Sequence, residues 1–296
     1  MIDRRTFLIS AAALAACSEA PSLSGNEARA AKPAAPDFGP ILAGLGDGAR
    51  LGVAALDSGS GRTIRHDADS RYAMCSTFKL PLAAAVLAEV DAGRMTLEQP
   101  LEFGRQDMIS HAPVAERLLA RGRVSIAEAC NAAIEVSDNV CANLLMRRVD
   151  GPEGLTAMFR RWGDSETRVD RYELALNTNL ADDARDTTTP AAMLGLLRTI
   201  LLGTALSDRT RSLVIGAMER CATGRDRLRA GLPPDWRAGD KTGTGERGAA
   251  NDVAFAVPPG RQPVLIASYL SAPAATPAIR NAAHASVARL VARAFA

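Results

Sequence analysis

Residues 253–270 read VAFAVPPGRQPVLIASYL. Two β-rich runs, Val253 to Val257 and Val264 to Leu270, flank Pro258-Pro259-Gly260-Arg261, and that arrangement is a hairpin. The pattern turns towards strand from Arg237 onward, and Lys241-Thr242-Gly243-Thr244-Gly245 extends it with small residues on one edge. The other end of the chain answers it. Leu51 to Asp57 forms a strand, Ser58-Gly59-Ser60-Gly61 a turn, and Thr63 to His66 the return strand. Between these ends lie alanine- and leucine-rich segments with helical spacing at 77–91, 113–121, 125–132, 139–148, 152–161 and 189–202. From Pro277 the chain closes on a helix. The class is therefore α/β (α+β): an antiparallel five-stranded sheet formed from both chain ends with flanking helices, plus an inserted all-helical lobe. The sheet lobe takes about 40–74 and 220–296, and the helical lobe about 75–219. The active site is expected in the cleft between them.

The chain has 296 residues, 47% hydrophobic, with a formal net charge of +2. That is enough for one sizeable core. No basic block is present to track a phosphate backbone, which argues against nucleic acid as a partner. Arg4-Arg5 precedes a short apolar run from Ile9 to Ala16, as in a twin-arginine export signal. The run stops at Leu14-Ala15-Ala16-Cys17, which resembles a bacterial lipobox, with Cys17 as the lipidated residue. Cleavage after Ala28-Arg29-Ala30 is the alternative. Residues 1–30 are thus signal and tether, 31–296 a single domain, and the expected location is the periplasm or cell envelope. Four cysteines remain, Cys75, Cys130, Cys141 and Cys221, and the spacing does not pair them.

Of the 35 basic residues only Lys32, Lys79 and Lys241 are lysines. Lysine is a compact charge whose pKa burial can shift, so in an arginine-rich chain its retention points to proton transfer or anion binding. Ser76-Thr77-Phe78-Lys79 follows the short strand Arg71 to Met74 and opens an apolar helix, with Ser76 and Lys79 one turn apart on one face. A lysine there can take the serine proton, although a serine at a helix start is also an ordinary cap. Pro81 is expected to remove one hydrogen bond and kink that helix. Ser137-Asp138-Asn139 combines a proton-relaying hydroxyl with an amide, or is simply a capping loop. Glu173 and Asn177, four apart in a poorly periodic stretch, can share one water, with the carboxylate as general base.

The order of these elements, S-x-x-K, S-D-N, E-x-x-x-N and K-T-G, resembles the class A serine β-lactamases over roughly residues 45–295. The segments Asn143-Leu144-Leu145, Trp162-Gly163-Asp164, Arg185-Asp186-Thr187-Thr188 and Ala250-Asn251-Asp252 share in it. The resemblance implies hydrolysis of β-lactam antibiotics through an acyl-enzyme on Ser76, hence antibiotic resistance. Ser76, Lys79, Ser137 and Glu173 would be catalytic, and the backbone N–H groups of Ser76 and Thr244 the oxyanion hole. Asn139, Asn177, Lys241, Thr242, Gly243 and Thr244 would line the substrate. An arginine usually found on the strand after K-T-G is replaced by Ala250, and Arg227 matches the alternative carboxylate anchor. His111 stands at the mouth of the cleft. Arg171 and Asp186 would close the omega-shaped loop around Glu173. The resemblance pairs no cysteines here: Cys75 would need a partner at Gly245, and Cys130 one at Ala83.

No metal and no cofactor is expected, since His66, His111 and His284 are isolated. The partners reduce to a small-molecule β-lactam, with the membrane met only through a lipid anchor at Cys17 and the domain a monomer. A penicillin-binding transpeptidase or carboxypeptidase, or a non-turnover β-lactam sensor, shares S-x-x-K and K-T-G but lacks a deacylating glutamate. Glu173 separates them.

Overall fold

A computed structural model describes residues 35–296, so the readings on Arg4-Arg5, Cys17, Ala30 and Lys32 lie outside the described residues. The chain opens with helix α1 (Gly39–Leu45), strands β1 (Arg50–Asp57) and β2 (Thr63–His66), and the two-residue strand β3 (Tyr72–Ala73). The middle holds α2 (Lys79–Asp91), β4 (Pro100–Glu102), α3 (Pro113–Leu118), β5 (Arg123–Ser125), α4 (Ile126–Glu135), α5 (Asn139–Arg147) and α6 (Gly151–Arg161). Then come β6 (Thr187–Thr188), α7 (Pro190–Leu201), α8 (Asp208–Glu219) and the short α9 (Leu228–Gly231). The chain closes with β7 (Arg237–Thr244), β8 (Ala249–Val257), β9 (Val264–Ser271) and α10 (Pro277–Phe295). The helix starts follow from their caps. Ser125, Asp138, Thr189, Ser207 and Thr276 each accept a backbone N–H of the first turn through the side chain.

The five-stranded sheet has the order β2-β1-β9-β8-β7, every neighbouring pair antiparallel. Its seam joins the two chain ends, Arg50 opposite Ser271 through Asp57 opposite Val264. β8 and β9 are buried on both faces, so their sequences are nearly continuous apolar runs rather than alternations. The two-residue period nevertheless sorts them. Val264, Ile266 and Leu270 pack with Ala254 against Val287, Val291 and Phe295 of α10. Leu265, Ala267 and Tyr269 pack with Val253 and Phe255 into the larger core shared with α2, α4 and α7. α7 and α8 lie against β1, β9 and β7, so the stretch 190–219, read from sequence with the helical middle, covers the second face of the sheet.

Three expectations change. The segment 77–91 begins as a 3₁₀ turn, Cys75–Phe78, with α2 starting only at Lys79. Pro81 is therefore third in α2, in its first turn, where a proline is tolerated. α1, α8 and the β4–β5 hairpin were not among the elements read from sequence. No described helix is long and apolar enough to cross a membrane.

Candidate active site

The turn bearing Ser76 is fixed from below. Asn251 of β8 donates its side-chain amide to the carbonyls of Ala73 and Met74 at 2.9 and 3.0 Å. β7 packs so close that a Cβ on Gly243 would lie 2.7 Å from the Met74 carbonyl, which only glycine avoids. Cys75 is held at φ +45° and Ser137 at φ +59°, conformations that cost a non-glycine residue about 1–3 kcal/mol and that cluster where geometry serves chemistry.

Around the hydroxyl of Ser76 the polar side chains converge. Its Oγ donates to Glu173 Oε1 at 3.3 Å. Lys79 Nζ lies 3.0 Å from the same Oε1 and donates to the Ser137 carbonyl at 2.8 Å, to Ser137 Oγ at 3.3 Å and to Asn139 Oδ1. Lys79 is fully buried, and loss of solvation holds its ammonium below the usual lysine range, although Glu173 and Asp138 oppose the shift. Lys241 donates to Ser137 Oγ at 3.1 Å from the opposite side. Its pKa is lowered to about 8, first by burial and partly by the Lys79 charge. Ser137 thus bridges the two lysines.

Glu173 is held at three points. Asn177 donates to Oε2 at 2.7 Å. Asn143 brackets the backbone, accepting the Glu173 N–H at 3.0 Å and donating to its carbonyl at 3.1 Å. Behind it, Arg171 Nε donates to Asp186 Oδ2 at 2.5 Å, while Asp186 Oδ1 accepts the N–H groups of Asp170 and Arg171 at 2.7 and 3.0 Å. The segment from 170 to 186 is therefore a closed loop.

The far wall is β7. Thr242 Oγ1 shares a hydrogen bond of 2.6 Å with Thr223, and Thr244 stands exposed at the strand end. Arg227 is buried, with its guanidinium against the backbone of β7 and β8. It donates to the carbonyls of Gly243 and Asn251 at 2.8 and 2.7 Å, to Asn281 Oδ1 at 3.0 Å and to Thr244 Oγ1 at 2.7 Å. His111 does not reach the serine. It is exposed at the rim, accepts the Asn139 N–H through its carbonyl at 3.0 Å, and its Nε2 donates to the Val136 carbonyl at 2.9 Å.

The structure thus gathers Ser76, Lys79, Ser137, Asn139, Glu173, Asn177 and Lys241 into one polar cluster, with Thr242, Gly243, Thr244 and Arg227 along one side. The sequence reading gave no role to Asn143, although it lies four residues past Asn139 and so shares its face of α5. The capping reading of Ser137-Asp138-Asn139 holds for Asp138, which caps α5 and also accepts the N–H groups of Val114 and Ala115 at 2.9 and 3.1 Å. Cys75, Cys130, Cys141 and Cys221 are all buried free thiols, and burial pushes Cys75 up to about 12.

Comparison with known proteins shows the family. The profile of the Beta-lactamase enzyme family matches residues 41–295. The chain is 42% identical to the carbapenem-hydrolyzing beta-lactamase KPC of Klebsiella oxytoca, over 82% of this chain and 83% of that protein. It is 44% identical to beta-lactamase AST-1 of Nocardia asteroides, over 74% and 71% of the two chains. Among solved structures, the ancestral GNCA class A beta-lactamase superposes with a TM-score of 0.84 at 48% identity, covering 88% of this chain and 100% of that one. The chain belongs to the beta-lactamase enzyme family, among its class A members.

Proposed function

We propose that the protein hydrolyses β-lactam antibiotics through an acyl-enzyme on Ser76, with Glu173 activating the water that releases it. The observation that carries this is the position of Glu173. Its Oε1 lies within hydrogen-bond distance of both Ser76 Oγ and Lys79 Nζ, while Asn177 orients its Oε2. The serine therefore has a carboxylate and an amine within reach of its proton, and the same carboxylate can bind a water against the ester carbonyl.

In this mechanism Ser76 Oγ attacks the lactam carbonyl and its proton passes to Glu173 or Lys79. The backbone N–H groups of Ser76 and Thr244 bind the oxyanion. Ser137, hydrogen-bonded to both lysines, delivers a proton to the departing ring nitrogen. Asn139 holds the substrate's side-chain amide. The substrate carboxylate meets Lys241 and the hydroxyls of Thr242 and Thr244. Because Arg227 already donates to Thr244 Oγ1, the Thr244 hydroxyl is free to donate its own proton to that carboxylate. Arg227 thus acts through Thr244 as much as by its charge, and His111 forms the rim of the mouth.

The test is Glu173→Ala, mixed with a penicillin and followed by intact mass and turnover. Acylation of Ser76 should persist and an adduct of one drug should accumulate, with kcat reduced by at least about 10³-fold. A wild-type protein that itself stays permanently acylated would instead identify a transpeptidase or a sensor.

Export belongs to the same proposal. Residues 1–30 serve as signal and tether to a single domain from 31 to 296, which works as a monomer in the periplasm or cell envelope. The arginine pair and the apolar run ending at Cys17 support a twin-arginine lipoprotein signal. Mass spectrometry of the mature N-terminus separates lipidated Cys17 from cleavage after Ala30.

A further inference from the structure

A second cavity, about 450 Å³, shares none of its lining with the residues assigned to catalysis or substrate binding. It lies between β1, β3, the turn joining β7 to β8, and the loop residues 178–185. Four arginines line it, Arg50, Arg71, Arg185 and Arg247, against two aspartates, Asp182 and Asp183. Two of the four are already neutralised: Arg71 pairs with Glu166 at 2.7 Å and Arg185 with Asp183 at 2.8 Å. Arg50 is fixed on the wall, its guanidinium 4.5 Å above the Tyr72 ring, and meets a carboxylate only at 3.7 Å, on Asp67. Among the described residues no carboxylate lies within ion-pair distance of Arg247.

The walls of this cavity adjoin the segments that carry the catalytic residues. The Asn177 carbonyl accepts the Glu246 N–H at 2.9 Å, and Asn179 donates to the Arg247 carbonyl at 3.2 Å and to Ser271 Oγ at 2.9 Å. The loop that carries Glu173 and Asn177 is therefore stitched to the turn that follows Thr244. An anion held by Arg247 on the turn and Arg50 on β1, and accepting from Arg185 Nη1 on the loop, which the pairing of Nε and Nη2 with Asp183 leaves unengaged, would add a charged cross-link to that seam. Guanidinium forks match the paired oxygens of phosphate and carboxylate groups.

We propose that this cavity binds a small polyanion, of the phosphate or polycarboxylate type, and that its occupancy clamps the loop bearing Glu173. The binding stands apart from the hydrolase reading, and only its effect on deacylation rests on that reading. The loop would open less often with the anion in place.

The probe is inorganic pyrophosphate, titrated calorimetrically at constant ionic strength, with citrate as the polycarboxylate arm. Saturable binding of one equivalent is expected, with slowed amide exchange across residues 177–185. Steady-state deacylation should change by about five-fold, the low end of coupling between distinct sites. The double variant Arg50→Ala/Arg247→Ala should weaken binding about 100-fold, the loss of two charge-assisted contacts, with penicillin turnover unchanged when no anion is added. Arg185→Gln supplies a second, milder variant. Binding should survive in Ser76→Ala, so a failure of the acyl-enzyme reading would leave this result standing. A response that never saturates, or equal affinity in the arginine variants, overturns the proposal. Preference for pyrophosphate over citrate, or the reverse, identifies which anion chemistry the cavity takes.

Discussion

Lys241 keeps its positive charge only below a pKa lowered to about 8, because burial denies the ammonium its water. Its partners Ser137 Oγ and the Thr242 carbonyl both accept, so the cation is the form the site is built for. As pH rises through about 8 the charge is lost, and KM for a penicillin carboxylate should climb while a pH profile of kcat moves less. Lys241→Arg should push that limb beyond the measurable range, and an unmoved limb would assign it to another group. Arg227 invites a contrast with its exposed neighbour. Arg227→Ala removes the donor behind Thr244 and should raise KM by at least about ten-fold, whereas Arg225→Ala should leave it within two-fold. The chemistry of these residues was legible in the sequence because it demands particular side chains at particular spacings, and a chain with only three lysines makes Lys79 and Lys241 conspicuous. What stayed hidden was direction. Nothing in the letters says that Arg227 lies against the backbone of β7, or that Asn143 brackets Glu173, since both depend on contacts between elements far apart in the chain.

At the scale of elements, Asp138 does work that its place in S-D-N conceals. Fully buried, it accepts three backbone N–H groups, from Val114 and Ala115 at the start of α3 and from Cys141 in α5. Asp138→Ala would orphan all three and should cost about 3 kcal/mol or more, measured by urea unfolding. The loop closed by Arg171 and Asp186 gives a different expectation. Arg171→Ala removes the 2.5 Å ion pair but leaves Asp186 accepting the Asp170 N–H, so the loop should loosen rather than unfold. Deacylation should slow and amide exchange in 170–186 quicken, and unchanged values of both would count against the ion pair as the latch. Long periodic helices and the strands at each chain end could be read directly. α1 could not, because GPILAGL is short, holds two glycines and borders an Ala/Pro-rich tether. α8 carries its signal mainly in the cap Ser207, its sequence being polar and weakly patterned.

For the whole molecule, one of the fully buried titratable groups is His284 of α10. A carbonyl can only accept, so its Nε2–H donates to Ala250 at 3.1 Å and Nδ1 accepts from the Ser268 hydroxyl at 2.9 Å. Burial holds its pKa down at about 3 against 6.5 when unfolded, which keeps the folded ring neutral at pH 7. The unfolded chain therefore binds the proton first, and this contribution to stability is present above pH 6.5 and lost as pH falls towards 3. Its size is on the order of 4 kcal/mol. His284→Gln should flatten that part of the acid limb in a pH series of melting temperatures, at some cost at neutral pH. The sheet itself was legible as strands at both ends, yet the strand order was not, for pairing across some two hundred residues leaves no local trace. That order governs how the chain comes into being. During synthesis β1 and β2 emerge early and must wait some two hundred residues for β9, the strand between them and β8. A nascent chain stopped before residue 264 has an exposed strand edge and no route to closure. The molecule is thus all-or-none with respect to β9: a ribosome that stops before residue 264 yields an aggregation-prone fragment, not a weaker enzyme.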